Sequence, residues 1–298
     1  MIMDNHKLIM TQDKIATVED VILSSCEIPS MPNVTQQILM MMSDPDTNAE
    51  KLQKVILTDQ ALSTRILKIA NSPFYGVPRT IRTLSTAIMI LGYKMIRNIV
   101  LAIVTKSINR RAGLIETMMW EHSIGVSNAS FLIAKEIQFP ESEEAFLAGL
   151  LHDIGKQILN NYDPERYMYV IERTYNEDIS YYYAEKEIFG FSHPEVGALV
   201  IRKWKLSEEL ESAIRYHHEG FKATFKEYPY YLGKLSIIVN LADLMCIKLG
   251  IGRREPLDTI NIANSESAAL LKLSENKVQI LSDKLQNYFE AEKEKFWY

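Results

Sequence analysis

The residues with the greatest chemical capacity are a histidine–aspartate doublet, His152-Asp153, and a lysine three positions beyond it, Lys156. They close a stretch beginning at Glu143 in which Leu147, Leu150, Leu151 and Ile154 recur at helical spacing and should face a core. An unpaired ionisable side chain on or beside such a face is costly. A neutral imidazole and a carboxylate side by side can instead share one metal ion, and the lysine can meet an anion bound to it. The same residues also fit a plain helix C-terminus closed by Gly155, with the doublet as polar groups on the cap side.

The rest of the chain weighs between these readings. Of six histidines, five lie between residues 122 and 218: His122, His152, His193, His217 and His218. His122 follows Trp120-Glu121 inside a long apolar pattern, and His193 stands in Ser192-His193-Pro194-Glu195 at a helix start. His217-His218-Glu219 ends a helix just before Gly220, and Asp243 sits among apolar residues in Val239 to Met245. Taken singly, each is an ordinary hydrogen-bonded core residue, helix-end group or salt-bridge partner. As a set they fall on different helical elements, and imidazole with carboxylate suits iron, manganese or zinc. Two such ions a few ångströms apart can polarise a phosphoryl oxygen and generate a hydroxide nucleophile, with Lys156 stabilising the charge that develops.

The elements that must hold these residues are helical. An amphipathic pattern through Ile15, Val18, Ile22 and Leu23 runs to about Glu27 and stops at Ile28-Pro29-Ser30-Met31-Pro32. A second helix is expected from Asn33 to Met42, and Thr47 with Glu50 has capping-box spacing for a third through Leu57. Leu62, Ile66, Ile69 and Ala70 continue helically to a loop at Asn71-Ser72-Pro73. Thr83–Leu91 and Met95–Lys106 read as two apolar helices hinged near Gly92, and Glu116–Ile137 as one long helix. Asp163-Pro164, Ser192 with Glu195, and Ser207 mark further helix starts, before a helix from Lys234 to Leu249 and a helical tail from Ser265 to Glu294. Met40-Met41-Met42 reads most simply as core filling. The chain is therefore expected to be all-α, with two packed helical subdomains that divide near Arg110-Arg111-Ala112-Gly113.

Composition narrows the function. With 298 residues, 47% hydrophobic and 24% charged, the chain is ordinary for a globular protein. A net charge of −5 offers no electrostatic footprint for DNA or RNA. Cys26 and Cys246 lie in no metal or redox spacing and read as reduced thiols of a cytoplasmic protein. No secretory signal is visible at the N-terminus. Lys94, Arg97 and Asn98 interrupt the most apolar stretch, Ala87–Val104, short of the roughly 20 apolar residues of a membrane span.

The ordered set resembles the HD superfamily of metal-dependent phosphohydrolases. Its mononuclear pattern of histidine, histidine–aspartate doublet and late aspartate matches His122, His152-Asp153 and Asp243. Its binuclear members, including the HD-GYP cyclic dinucleotide phosphodiesterases, add a histidine and a histidine pair, matched by His193, His217 and His218. The resemblance implies that Asp153 bridges one or two metal ions and that Lys156 contacts a substrate phosphate.

The N-terminal half is similar to the HDOD (HD-related output domain) family of bacterial signalling modules. The likeness rests on Ile28-Pro29-Ser30-Met31-Pro32, on Asp59 through Tyr75, and on Ala87 through Gly92. Phe189-Gly190-Phe191-Ser192-His193-Pro194-Glu195 and Ile214 through Glu219 extend it, so that it covers roughly residues 20 to 250. It implies an N-terminal helical subdomain over residues 1–111. Residues 112–298 would form an HD-type metal-binding helical bundle with a C-terminal helical extension. Many HDOD domains have lost some ligands and act through protein contacts, whereas this chain keeps the full set. The chain lacks the Gly-Tyr-Pro signature of HD-GYP enzymes and carries Met118 where they can carry a glutamate. The expected function is thus signal transduction through a protein partner, with metal bound. The alternative is a phosphohydrolase acting on a nucleotide or cyclic nucleotide.

Overall fold

Helix caps and apolar stripes account for the elements of the protein, which we describe from a computed structural model over residues 33–42, 48–72, 74, 80–108, 113–218 and 230–292. The first four helices are α1 (Asn33–Met42), α2 (Ala49–Ile56), α3 (Gln60–Ala70) and α4 (Leu84–Ile108). Then come α5 (Leu114–Glu136), α6 (Ser142–Leu151), α7 (Ile154–Tyr162), α8 (Pro164–Glu177), α9 (Tyr181–Phe189), α10 (His193–Lys203) and α11 (Glu208–Tyr216). The chain continues through α12 (Tyr230–Leu249), a 3-10 turn (Ile262–Asn264), α13 (Glu266–Leu270) and α14 (Glu275–Glu292). No strand occurs among the described residues, so the fold is all-α.

Many starts follow their sequence signals. Asp163 accepts from the Arg166 amide at 3.0 Å with proline first in α8, and Glu195 reaches back to the Ser192 amide at 2.8 Å to open α10. Gly92 takes φ 75 and ψ 168 inside α4, which makes α4 two helical pieces across a kink. One start is corrected. The cap of α2 is Asn48, whose side chain accepts from the Lys51 amide at 2.9 Å, and Thr47 lies outside the described residues. The amphipathic pattern to Glu27, the two prolines after it, Cys26, Arg110–Ala112, Pro73 and residues 219–229 also lie outside them.

The apolar interior falls into two clusters. Ile38 of α1, Leu52 and Ile56 of α2, Ile66 of α3 and Ile96 of α4 belong to one. The other is built on α5, α6, α7, α10, α11 and α12, with Leu101 and Ile108 from the far end of α4. Helix α4 thus serves both. Its polar residues dock on the start of α6: Lys94 and Arg97 pair with Glu141 and Glu144, and Asn98 donates to the Glu143 carbonyl at 2.6 Å. Residues 84–106 are long and apolar enough to cross a membrane, but 56% of the most apolar window is buried within the protein. Phe74, Phe131 and Tyr288 form an aromatic contact, with rings 5.5 and 5.6 Å from Phe74, that fastens α14 to the bundle.

Two local expectations are overturned. Gly155 does not close a helix: α6 stops at Leu151, His152-Asp153 make a tight turn, and α7 starts at Ile154 with Gly155 inside it. Met40 is 70% exposed and fills no core, whereas Met41 packs against the first cluster.

Candidate metal centre

Five elements bring the predicted residues to one place. His122 comes from the middle of α5, His152-Asp153 from the turn between α6 and α7, and His193 from the first position of α10. His217 and His218 follow α11, and Asp243 lies in α12. All seven converge, although none is near another in sequence except within the two doublets. The apolar residues around the first doublet do face the core, for Leu147, Leu150, Leu151 and Ile154 are at most 1% exposed.

Close approach of the elements depends on two glycines. A Cβ on Gly155 would lie 2.1 Å from the His193 carbonyl oxygen, so only glycine lets α7 meet the start of α10. Gly252, at φ +71, lies against α5, and a Cβ there would be 2.5 Å from the His122 amide nitrogen.

Each of four rings is aimed by a partner on its outer nitrogen. The Nδ1 of His122 donates to the Ile251 carbonyl at 3.1 Å, that of His152 to Gly149 at 2.7 Å, and that of His217 to Ile214 at 2.6 Å. A carbonyl can only accept, so Nδ1 carries the proton, and the unpartnered Nε2 atoms of His152 and His217 are left to present a lone pair inward. For His193 the partner is Glu185, whose Oε2 lies 2.6 Å from both Nδ1 and the main-chain amide. Tyr167 donates to the other Glu185 oxygen at 2.9 Å.

The inward atoms form two groups. Ligand atoms of Asp153, His193, His217 and His218 lie within 4.8 Å of one another, as do those of His122, His152 and Asp243. Donors about 2.1 Å from one ion have a similar spread. Asp153 stands between the groups: Oδ1 is 3.2 Å from His193 Nε2, and Oδ2 is 3.2 Å from His152 Nε2 and 3.8 Å from His122 Nε2. Asp243 Oδ1 is 2.9 Å from His122 Nε2, and the His193 and His218 Nε2 atoms are 3.1 Å apart. His152 Nε2, Asp153 Oδ1 and His217 Nε2 are buried without a hydrogen-bond partner. Three orphaned acceptors pointing at one another are costly in a protein interior, and a cation is the species that satisfies them all. The residues fit a metal.

The electrostatics agree with that fit at both aspartates and at His217 and His218. Burial works against ionising Asp153, but His152, Lys156 and His193 outweigh it and hold the carboxyl well below the usual range. Asp243 is likewise lowered, with burial overcome by the bond to and charge of His122. Burial, with His218 and His152 beside it, pushes His217 far down, and burial with His193 pushes His218 down to about 3. Both rings are therefore neutral at pH 7, as ligands must be. His193 moves up, because Glu185 outweighs the effect of burial. Burial also opposes charge on Lys156, yet Asp153, Asp243 and Glu185 keep it protonated with Nζ 2.7 Å from Asp153 Oδ2.

The cluster is open on one side. A cleft of about 730 Å³ has His122, Asp153, Lys156, His218 and Asp243 on its floor, while Met119, Ile171 and Ile247 are among its apolar walls. Neither the cleft nor Glu185 was foreseen from sequence. For Glu185 a signal existed: it shares a helical face with Ile188 and Phe189, so its carboxylate had to be buried and partnered.

With this geometry the comparisons with known proteins agree. Residues 28–220 match the HDOD domain family. The fold is similar to an HDOD domain protein of unknown function from Geobacter sulfurreducens, with 26% identity, a TM-score of 0.77 and coverage of 94% of this chain and 96% of that one. A protein from Shewanella amazonensis, provisionally named a phosphohydrolase, is similar in fold at 21% identity and TM-score 0.71 over 94% and 97% of the two chains. An uncharacterized protein of Treponema pallidum is 22% identical over 193 residues, which make up 64% of this chain and 38% of that protein. The present chain thus spans well under half of that relative. A match running from the N-terminal helices to the histidine pair includes most of the chain, which belongs to the HDOD family.

Proposed function

We propose that this HDOD chain binds a pair of metal ions and uses them on a phosphorylated small molecule held in the cleft. The observation that carries the reading is the meeting of orphaned donor atoms with an open cleft: His152, Asp153 and His217 end in unpartnered buried atoms, and Asp153 also lines a space of about 730 Å³. A site retained only for shape would need no such opening. His193, His217, His218 and Asp153 would hold one ion, and His122, His152 and Asp243 the other, with Asp153 reaching toward both. Iron, manganese or zinc suits this donor set, and when bound supplies Lewis acidity toward a phosphoryl oxygen and activation of water. Asp153 orients Lys156, whose ammonium is placed to neutralise an incoming phosphate. Glu185 keeps His193 in register.

Elemental analysis of the purified chain should find about two transition-metal ions, and Asp153→Ala should remove them. Phosphomonoester and phosphodiester turnover is then measured with and without Lys156→Ala. Metal-free wild type, insensitive to Asp153→Ala, overturns the metal reading. Metal-loaded protein inert toward a broad nucleotide panel overturns the hydrolytic one.

A second reading, signalling by contact with a protein partner, is favoured by a separate observation. The N-terminal helices present Met40, Leu57, Met89 and Ile90 at 50–78% exposure. Apolar side chains of that size at the surface suit a docking face. The two readings are compatible, with the site setting the state that the face reports.

A further inference from the structure

The cleft has a polar end that the chemistry above leaves unused. Beyond α12 the chain turns through Gly250 and Gly252, both at positive φ, and the intervening Ile251 carbonyl is the one that orients His122. The next residue, Arg253, is therefore fixed relative to the ligand cluster by the same loop that aims a ligand. Its side chain lines the cleft with the guanidinium carbon 5.7 Å from the centre of the Tyr175 ring, and its Nε is buried with no hydrogen-bond partner. An unsatisfied guanidinium N–H of this kind is costly alone, and its planar fork matches a phosphate. Arg254 lies 5.5 Å from the same ring.

Lys156, which lines the same cleft, sits 4.6 Å from the centre of the Tyr181 ring. The cleft thus carries two cationic side chains, Lys156 on its floor and Arg253 beside Tyr175. Its wall includes apolar side chains, Met119, Ile171, Ile179 and Leu257. Two carboxylates also line the cleft: Glu116, which accepts from Asn160 at 2.9 Å, and Asp178.

We propose that the cleft selects a ligand with two phosphate groups and a ring system, of the nucleoside diphosphate class. One phosphate meets the floor beside Lys156, the second meets Arg253, and the ring system lies on the apolar wall. This rests on the phosphorylated-ligand reading of the floor and adds a second anion site to it.

The test is calorimetric binding to the full metal-loaded chain of three probes: inorganic phosphate, adenosine monophosphate and adenosine diphosphate. The diphosphate should bind about tenfold tighter than the monophosphate, the scale of one hydrogen bond to a charged group. Arg253→Gln should bring the diphosphate to the level of the monophosphate and leave the other two probes unchanged. Arg253→Lys, which keeps the charge but loses the Nε donor, should also weaken the diphosphate and serves if the glutamine variant unfolds. A diphosphate no tighter than the monophosphate, an equal loss for all three probes, or full retention by Arg253→Lys overturns the inference. Phosphate binding that depends on Lys156 without the diphosphate preference overturns it alone. Failure of every probe to bind wild type overturns the phosphorylated-ligand reading with it.

Discussion

The two apolar clusters differ in the polar groups that they bury. Around the first cluster the buried polar groups among the described residues are uncharged, Thr35, Ser72 and Asn98, while Met40 of α1 and Met89 of α4 stand in solvent. Around α5 to α12 the interior holds two aspartates, a glutamate and four buried histidines. Exposed apolar side chains occur in both regions, Leu114 and Tyr183 among those of the second, so the two differ in what they bury rather than in what they expose. Buried charge survives in the second only because each member is interlocked: Glu185 with His193 and Tyr167, Asp243 with His122, and Asp153 with Lys156. The contrast supports the proposal that chemistry belongs to the second region.

Substitutions can break that contrast, and the largest effect is expected in the first cluster. Ile96→Ala, at a fully buried position, should lower unfolding stability by about 2–5 kcal/mol while leaving metal content per folded chain unchanged. A loss of metal with Ile96 would show that the clusters are not separable in function. Gly155→Ala should cost about 3 kcal/mol or more in denaturant unfolding, because the methyl meets the His193 backbone; here metal content should fall as well. Glu185→Gln should weaken metal binding by about 10–100-fold, measured by competition with a chelator, with a smaller change in stability. Unchanged affinity would remove Glu185 from the support of His193. The smallest effect is expected for Met89→Ser with Ile90→Ser: within about 0.5 kcal/mol of wild type for each in thermal unfolding, and no change in metal. A clear loss of stability would mean that these side chains are packed rather than presented.

Much of this was legible in the sequence, for physical reasons that differ by residue. Caps act locally, so Asp163-Pro164 and Ser192 with Glu195 announced their helices. The kink at Gly92 could be read because one residue type permits that backbone. The convergence of these histidines and aspartates could be expected because imidazole and carboxylate among apolar residues need a shared explanation. Gly155 left two readings open because a glycine after an apolar helix has two uses, as a cap or as a point of close approach, and the choice depends on backbone 38 residues away, at His193. Arg253 carried no signal at all: its position depends on a loop folded against α5, and no periodicity records that. The cleft is likewise a property of how helices are spaced rather than of any one of them.

The hydrogen bonds from His152 to Gly149 and from His217 to Ile214 each span three residues at the end of a helix. Those carbonyls belong to the last turn, where no further amide is available to the helix. Each ring is thus aimed by its own helix end, independently of the other elements that complete the site. The centre is assembled from prefabricated corners: α6 and α11 arrive with their imidazoles already turned, and only the distances between them remain for tertiary packing to set.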